Sequence, residues 1–267
     1  MMSEHRSESL AVYTVDSFTS KPFGGNSAGV CLLTEPVSDQ WMRSVAGELR
    51  HSETAFLLGR SLRWFTPKVE VALCGHATLA TAHVLYSTGA ASGTIEFDTL
   101  SGTLTTTQDD TDGSVIMDFP AKPAGQASRA PAGLIEALGV KPVWVGRSDF
   151  DYLIEVGSAD EVRAAAPDFE ALGQVETRGT ILTAASSEPG SDFVSRFFAP
   201  AAGVDEDPVT GSAHCTLSPY WSAKLGRSDL TGAQLSERGG IVRTRLAADR
   251  VKLSGHAVTI WSGQLHL

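Results

Sequence analysis

The sequence predicts an α+β fold built from two like halves, and three observations carry that expectation. One phrase occurs twice. Arg63-Trp64-Phe65-Thr66-Pro67 runs into Cys74-Gly75-His76-Ala77, and Arg196-Phe197-Phe198-Ala199-Pro200 runs into Thr210-Gly211-Ser212-Ala213. A repeat placed once in each half implies two copies of one structural unit. Each copy reads as a strand ending at Pro, a turn-rich stretch, and a small-residue start to a helix. Three short, turn-linked strands then follow each helix, whereas a parallel sheet needs a helix between most strand pairs.

The elements can be justified in order. Leu10 to Phe18 is an apolar strand, and Gly24-Gly25-Asn26 marks a turn. Ser38 or Asp39 can cap a helix whose Trp41, Val45 and Leu49 share one face. Thr54–Leu58 and Leu62–Phe65 read as strands. A helix follows from Gly75 to about Ser87, with Gly89 suited to its end. Strands near Gly93–Phe97, Gly102–Thr105 and Ser114–Phe119 close the first half. Pro120 to Pro131, rich in Ala, Pro and Gly, reads as a linker. The second half repeats the order: strands at Trp144-Val145 and Tyr152–Val156, a helix from Asp160 to Leu172, then strands at Thr180–Thr183 and Phe193–Phe198. The second repeat helix spans Gly211 to Leu225, with a kink or early break expected at Pro219. Strands at Ile241–Thr244, Val251–Leu253 and Ala257–Trp261 finish it. The halves are therefore expected at 1–120 and 121–267, with the final strand free to cross back to the first.

Composition narrows the function. The chain has 267 residues, 42% hydrophobic and 19% charged, with a formal net charge of −10. Those values fit a soluble globular protein and give no basic footprint for nucleic acid. No apolar run approaches membrane-spanning length. Met1 to Ser9 is polar and reads as a loose leader, neither signal peptide nor anchor. Three widely spaced cysteines, Cys31, Cys74 and Cys215, fit free thiols in a reducing cytoplasm. Cys31 lies in the apolar run Gly29–Leu33 and reads as core.

The chemistry is expected at the two repeat helices. Gly75 aligns with Gly211, His76 with Ser212 and Ala77 with Ala213. The first N–H groups of a helix have no internal partners, and glycine lets a ligand come close. Two such starts facing each other across a cleft would suit a small anionic metabolite, although tight helix packing also explains the glycines. His76 is an acid, base or donor candidate whose charged form a helix N-terminus disfavours. His83 and His214 lack such context and read as packing or surface residues. Glu53 enters an apolar strand, where desolvation would suit it to proton transfer; the bland alternative is a salt bridge at the strand end. Asp205, Glu206 and Asp207 precede the second helix, and Asp207 is nearest to it. Cys74 and Cys215 could form a proton-relaying thiol pair, but Cys215 aligns with Leu79. Cys74, His76, His214 and Cys215 lack metal-ligand spacing, so no metal is expected. No Gly-x-Gly-x-x-Gly or Walker-type loop suggests a cofactor.

The order of motifs resembles the PhzF-like family of phenazine biosynthesis. Those motifs are Asp16-Ser17-Phe18-Thr19 with Pro22–Asn26, Ser52-Glu53-Thr54-Ala55-Phe56, the first repeat phrase, and the second repeat phrase with Glu206–His214. The resemblance implies a diaminopimelate-epimerase-like fold: two pseudo-symmetric halves, each a barrel-like, mostly antiparallel sheet around a central helix. It also implies cofactor-independent isomerase chemistry and a homodimer. The family's catalytic residues fall on Glu53, His76, Asp207 and Ser212, with Gly75, Ala77, Gly211 and Ala213 expected to line the substrate. The thiol pair of the related epimerases is not reproduced, and Asn26-Ser27-Ala28-Gly29 replaces the more usual Asn-Pro-Ala-Ala. The expected activity is proton movement within a small unsaturated or cyclic carboxylic acid. The alternatives are a racemase or epimerase using Cys74 and a catalytically silent metabolite-binding protein.

Overall fold

A computed structural model of the chain describes residues 9–127 and 129–266. Residues 1–8 of the leader read above lie outside the described residues. The chain forms two compact units. One holds the chain up to Phe23, Ser27–Met117 and the stretch from His256 onward; the other holds Gly24–Asn26 and Asp118–Gly255.

The first unit runs β1 (Ser9–Ser17), β2 (Asn26–Leu32), α1 (Asp39–Leu49), β3 (Thr54–Leu58), β4 (Ser61–Phe65), β5 (Glu70–Val71), α2 (Gly75–Ser87), β6 (Ile95–Thr99), β7 (Gly102–Gln108) and β8 (Val115–Pro120). The last strand of the chain, β18 (Ala257–His266), pairs antiparallel with β1. Helix α1 forms where its spacing predicts. Ser38 is its N-cap and accepts from the Trp41 N–H at 3.2 Å, and Met42, Val45 and Ala46 are buried. It carries the chain across so that β2 and β3 pair in parallel. Strands β3, β4 and β5 then pair antiparallel in sequence. After α2, β6 joins β4 in parallel, and β7 and β8 follow antiparallel.

Helix α2 has little amphipathic contrast: His76, Ala77, Thr78, Leu79, Ala80, Thr81, Ala82 and Val84 are all buried. A helix apolar all round must be enclosed, and α2 packs against β1, β3, β7 and β18. Its threonines are tolerated because Thr78 and Thr81 donate to the carbonyls of Cys74 and Ala77, at 2.6 and 2.8 Å.

The second unit repeats this order. It contains β9 (Gly125–Gln126), α3 (Leu134–Leu138), β10 (Trp144–Arg147), β11 (Asp151–Glu155), α4 (Ala159–Ala164), α5 (Phe169–Leu172), β12 (Gly179–Ala185), β13 (Phe193–Ala199), β14 (Val204–Asp207), α6 (Gly211–Leu225), β15 (Asp229–Gln234), β16 (Gly240–Ala247) and β17 (Arg250–Gly255). Here β11 and β12 are the parallel pair joined by helices, β13 and β14 follow antiparallel, and β15 joins β13 in parallel after α6. Strands β16 and β17 complete the meander. The sheets are thus mostly antiparallel around one buried helix per unit, the α+β arrangement the sequence predicts.

Three readings need correction. The helix expected over Asp160 to Leu172 is two short ones: Ala165 leaves helical conformation (ψ 128°), Pro167 brings no N–H to continue the ladder, and Asp168 caps a new start. The Pro120–Pro131 linker is not structureless, since Gly125 and Gln126 pair with β10. Pro219 does not break α6. The carbonyl that its missing N–H would have bonded, on Cys215, instead accepts from the Lys122 N–H at 2.9 Å.

The core of the second unit is tightly filled around Phe193, which stacks on Trp221 with ring centroids 6.0 Å apart. A Cβ at Gly232 would lie 2.5 Å from the Phe193 ring and 3.0 Å from His214 Nε2. Neither side chain is at all exposed. Gly232→Ala should therefore lower stability by about 1–3 kcal/mol through overpacking; urea unfolding measures it, and an unchanged midpoint would show that the ring can move.

Candidate active site

Helices α1, α4 and α5 begin with side-chain caps from Ser38, Ser158 and Asp168. The two central helices do not: neither Cys74 before α2 nor Thr210 before α6 makes a side-chain cap bond. Their first-turn N–H groups are left without that partner, the arrangement expected of helix starts that receive a ligand. Around each start the structure gathers different chemistry.

At α2, Glu53, Cys74 and His76 come together. His76 Nε2 lies 3.5 Å from Glu53 Oε2 and 3.4 Å from Ser52 Oγ, and Cys74 Sγ lies 3.5 Å from His76 Nδ1. The His76 side chain is 7% exposed and that of Glu53 is 20% exposed, so the carboxylate has the freer access. Ser17 fixes the helix start by donating to the His76 carbonyl at 2.8 Å. The turn at Arg50, in the left-handed region (φ 57°), delivers Glu53 to the head of β3. Ligand atoms of Glu53, Cys74 and His76 all lie within 4.8 Å of one another, so these three residues could hold a metal ion. The four-residue set weighed from sequence is not this cluster. His214 turns its Nδ1–H to the Thr210 carbonyl at 2.8 Å, and Cys215 is buried against the Gly211 carbonyl.

At α6, Asp207 is held from several directions. Its Oδ1 accepts from Asn26 Nδ2 at 2.7 Å, and its Oδ2 accepts from Thr210 Oγ1 at 2.5 Å. Asn26 also donates to the Val209 carbonyl. Gln234, buried on β15, donates to the Asp207 carbonyl and accepts from the Thr210 N–H. Glu206 instead takes the bland role: Arg196 grips it with two bonds of 2.7 and 2.8 Å. Arg63 and Glu70 make the same fork in the first unit. Ser212 Oγ accepts from Arg178 Nη2 at 3.2 Å. Arg178 is anchored in turn by Asp151, Nε to Oδ1 at 2.9 Å and Nη2 to Oδ2.

Ala77 and Ala213 are buried as whole residues, 0% and 1% exposed. Gly75 and Gly211 occupy the first position of each helix. Burial pushes the Cys215 and Cys31 thiols up to about 12, so neither serves as a thiolate near neutral pH. His83 lies against Thr259 and burial lowers its pKa. Sequence reasoning missed Arg178, Asp151 and Gln234. Their contacts at the site span 24 to 34 residues, and no local pattern signals them. Asn26 was visible as a turn residue and as part of the family motif, without a role at the site.

Comparison with known proteins gives the class of protein that carries this sheet-rich fold: an isomerase. The chain matches the family described as phenazine biosynthesis-like protein, PhzC-PhzF, over residues 15–263. It belongs to that family. It is 48% identical to an uncharacterized isomerase of Halalkalibacterium halodurans, over 96% of this chain and 98% of that one. It is similar to the crystal structure of a PhzF-family phenazine biosynthesis protein from Enterococcus faecalis, with a TM-score of 0.91 and 36% identity. That match covers 97% of this chain and 100% of that one. A hydroxyproline epimerase from Agrobacterium vitis shares the fold alone, with a TM-score of 0.63 at 12% identity, covering 97% of this chain and 93% of that one. These relatives place the chain among isomerases. Among the described residues, no helix is long and apolar enough to cross a membrane.

His214 gives this region a measurable pH signature. It is fully buried, and burial lowers its pKa from 6.5 to about 4, partly opposed by the bond to Thr210. The unfolded chain therefore binds the proton more readily than the native one. Stability is complete above about pH 6.5 and falls as pH drops towards 4, by roughly 3 kcal/mol in all. Unfolding at stepped pH should show this loss, and His214→Gln should flatten it within that window.

Proposed function

We propose that this isomerase moves a proton within a small unsaturated or cyclic carboxylic acid by general acid/base catalysis without a cofactor. The observation that carries the reading is the Glu53 carboxylate 3.5 Å from His76 Nε2 beside the uncapped start of α2. Glu53 takes a proton from one carbon and returns it to another of the conjugated system. The partly exposed carboxylate can turn between those positions, whereas the enclosed imidazole stays fixed. His76 orients Glu53 and donates to the charge that develops on substrate oxygen. By the family resemblance, Asp207 and Ser212 hold polar groups of the substrate. N–H groups near Gly75 and Gly211 bind its carboxylate or the developing oxyanion. Three free, buried cysteines suit a reducing cytoplasm, and the family resemblance supports a homodimer.

One observation favours a second reading. The contact between Cys74 Sγ and His76 Nδ1 is one a racemase could use to activate the thiol. The two readings separate by substitution. Small unsaturated carboxylic acids and amino acids are incubated with the enzyme in D2O and followed by NMR for deuterium at carbon. Glu53→Gln should cut exchange by about 10²–10⁴-fold with the fold intact, while Cys74→Ser should keep it. Loss of exchange in Cys74→Ser but not in Glu53→Gln would establish the thiol mechanism. A wild-type protein that binds such acids without exchanging them is a silent binding protein.

A further inference from the structure

We propose that Arg178 reads an anionic group of the substrate and, held by Asp151, presents Ser212 as a hydrogen-bond donor to that group. The inference rests on the reading above that Ser212 touches substrate.

The direction of the bond sets the chemistry. A guanidinium can only donate, so in the 3.2 Å contact with Arg178 Nη2 the Ser212 oxygen is the acceptor. The hydroxyl hydrogen of Ser212 is thereby left to donate elsewhere. Arg178 has a second open donor as well. Its Nε and Nη2 are committed to Asp151 and Ser212, and Nη1 has no hydrogen-bond partner among the described residues. Two donors with no acceptor between them suit a carboxylate and repel an ammonium group.

The guanidinium is set in place and not trailing in solvent. Asp151, whose side chain is 1% exposed, takes it in a two-pronged grip, although Arg178 itself is 43% exposed. It lies over the rings of Phe150 and Phe197, at 5.1 and 5.9 Å. The neighbouring Gly179 makes room for this assembly, since a Cβ there would meet Phe197 Cζ at 2.2 Å and Asp151 Oδ1 at 3.1 Å. Arg178 also fronts an open hollow of about 520 Å³ within the second unit, lined with it by Phe150, Arg147 and Glu176 among others. An ion pair serving stability alone would need neither the open Nη1 nor the bond to Ser212. The substrate is accordingly an acid whose carboxylate lies at Arg178 and Ser212.

The test uses the full chain with acetate, benzoate and glutaconate as carboxylate probes and benzylamine as the cationic control. Arginine side-chain 15N NMR reads the Arg178 signals, assigned by their loss in Arg178→Lys. At least one carboxylate should shift them saturably, and benzylamine should not. Arg178→Met should weaken binding of that carboxylate by about tenfold or more, and Ser212→Ala should weaken it less. If Arg178→Met does not fold, Arg178→Lys carries the test, since losing the fork should still weaken binding several-fold. Shifts with no carboxylate, or unchanged affinity in the folded variants, would overturn the inference. Glu53→Gln separates this from the catalytic reading. It should keep carboxylate affinity within about twofold while losing proton exchange. If it keeps exchanging, the acid/base mechanism falls and the anion subsite stands.

Discussion

Each unit buries a helix on every face, and that demand organises the rest of the structure. A helix with one apolar stripe can lie on a flat sheet, but α2 and α6 have no face to give to water. Helix α2 is enclosed by strands drawn from both ends of the chain, including β1 and β18. Helix α6 packs against β15, β16 and β17, with Trp221 donating to Thr183 Oγ1. Small residues make this feasible. Alanines and threonines on α2, and Gly211, Ala213 and Ser218 on α6, let strands approach closely. Enclosure leaves one place where polar chemistry can meet a ligand, the start of each helix, where backbone N–H groups lack internal partners. Neither of these two starts has a side-chain cap bond, so their N–H groups keep no such partner.

The same constraint separates structural acids from chemical ones. Glu70 and Glu206 stand in equivalent hairpins and are each gripped by an arginine, which closes the turn leading to the central helix. The pairs are partly buried and forked, so they fix the path of the chain more firmly than an exposed pair would. Among the described residues, the ionic contact of Glu53 is His76. Asp207, one residue beyond Glu206, accepts bonds from an amide and a hydroxyl. Glu70 and Glu206, which hold the fold, are thus paired with permanent cations, while Glu53 meets an imidazole.

Much of this was legible in the sequence because the decisive signals were local. Ser38 followed by apolar residues at intervals of four gave α1, and the duplicated phrase gave both central helices and the strands before them. Glu53 and His76 stood out as polar residues in apolar or small-residue surroundings, and folding brings them together. What could not be read depended on distant partners. Strand β15 has the unremarkable sequence Asp229-Leu230-Thr231-Gly232-Ala233-Gln234, and pairing with β13 and β16 on its two sides makes it a strand. Pro219 looked like a breaker, because nothing nearby shows that Lys122 takes the orphaned carbonyl. Arg178 looked like any surface arginine until its contact with Ser212, 34 residues on, was formed.

Duplication by itself would favour matching groups at both helix starts, the arrangement suited to interchanging mirror images. This chain departs from that symmetry at every chemical position. His76 stands where the second copy has Ser212, and the cysteine before α2 is replaced by Thr210 before α6. The first start gathers a carboxylate, an imidazole and a thiol. In the second, Asp207 is engaged by two donors and the serine is polarised by a permanent cation, while the one thiol is pushed up to about 12 by burial. On the proposed reading, then, the proton-transfer group is Glu53, beside the first helix start. A single proton-transfer group acting on a held substrate can lift a proton at one carbon and return it at another on the same face. Inversion at a single carbon needs a second base on the opposite face. The chemical division between the two copies therefore favours positional isomerisation over epimerisation.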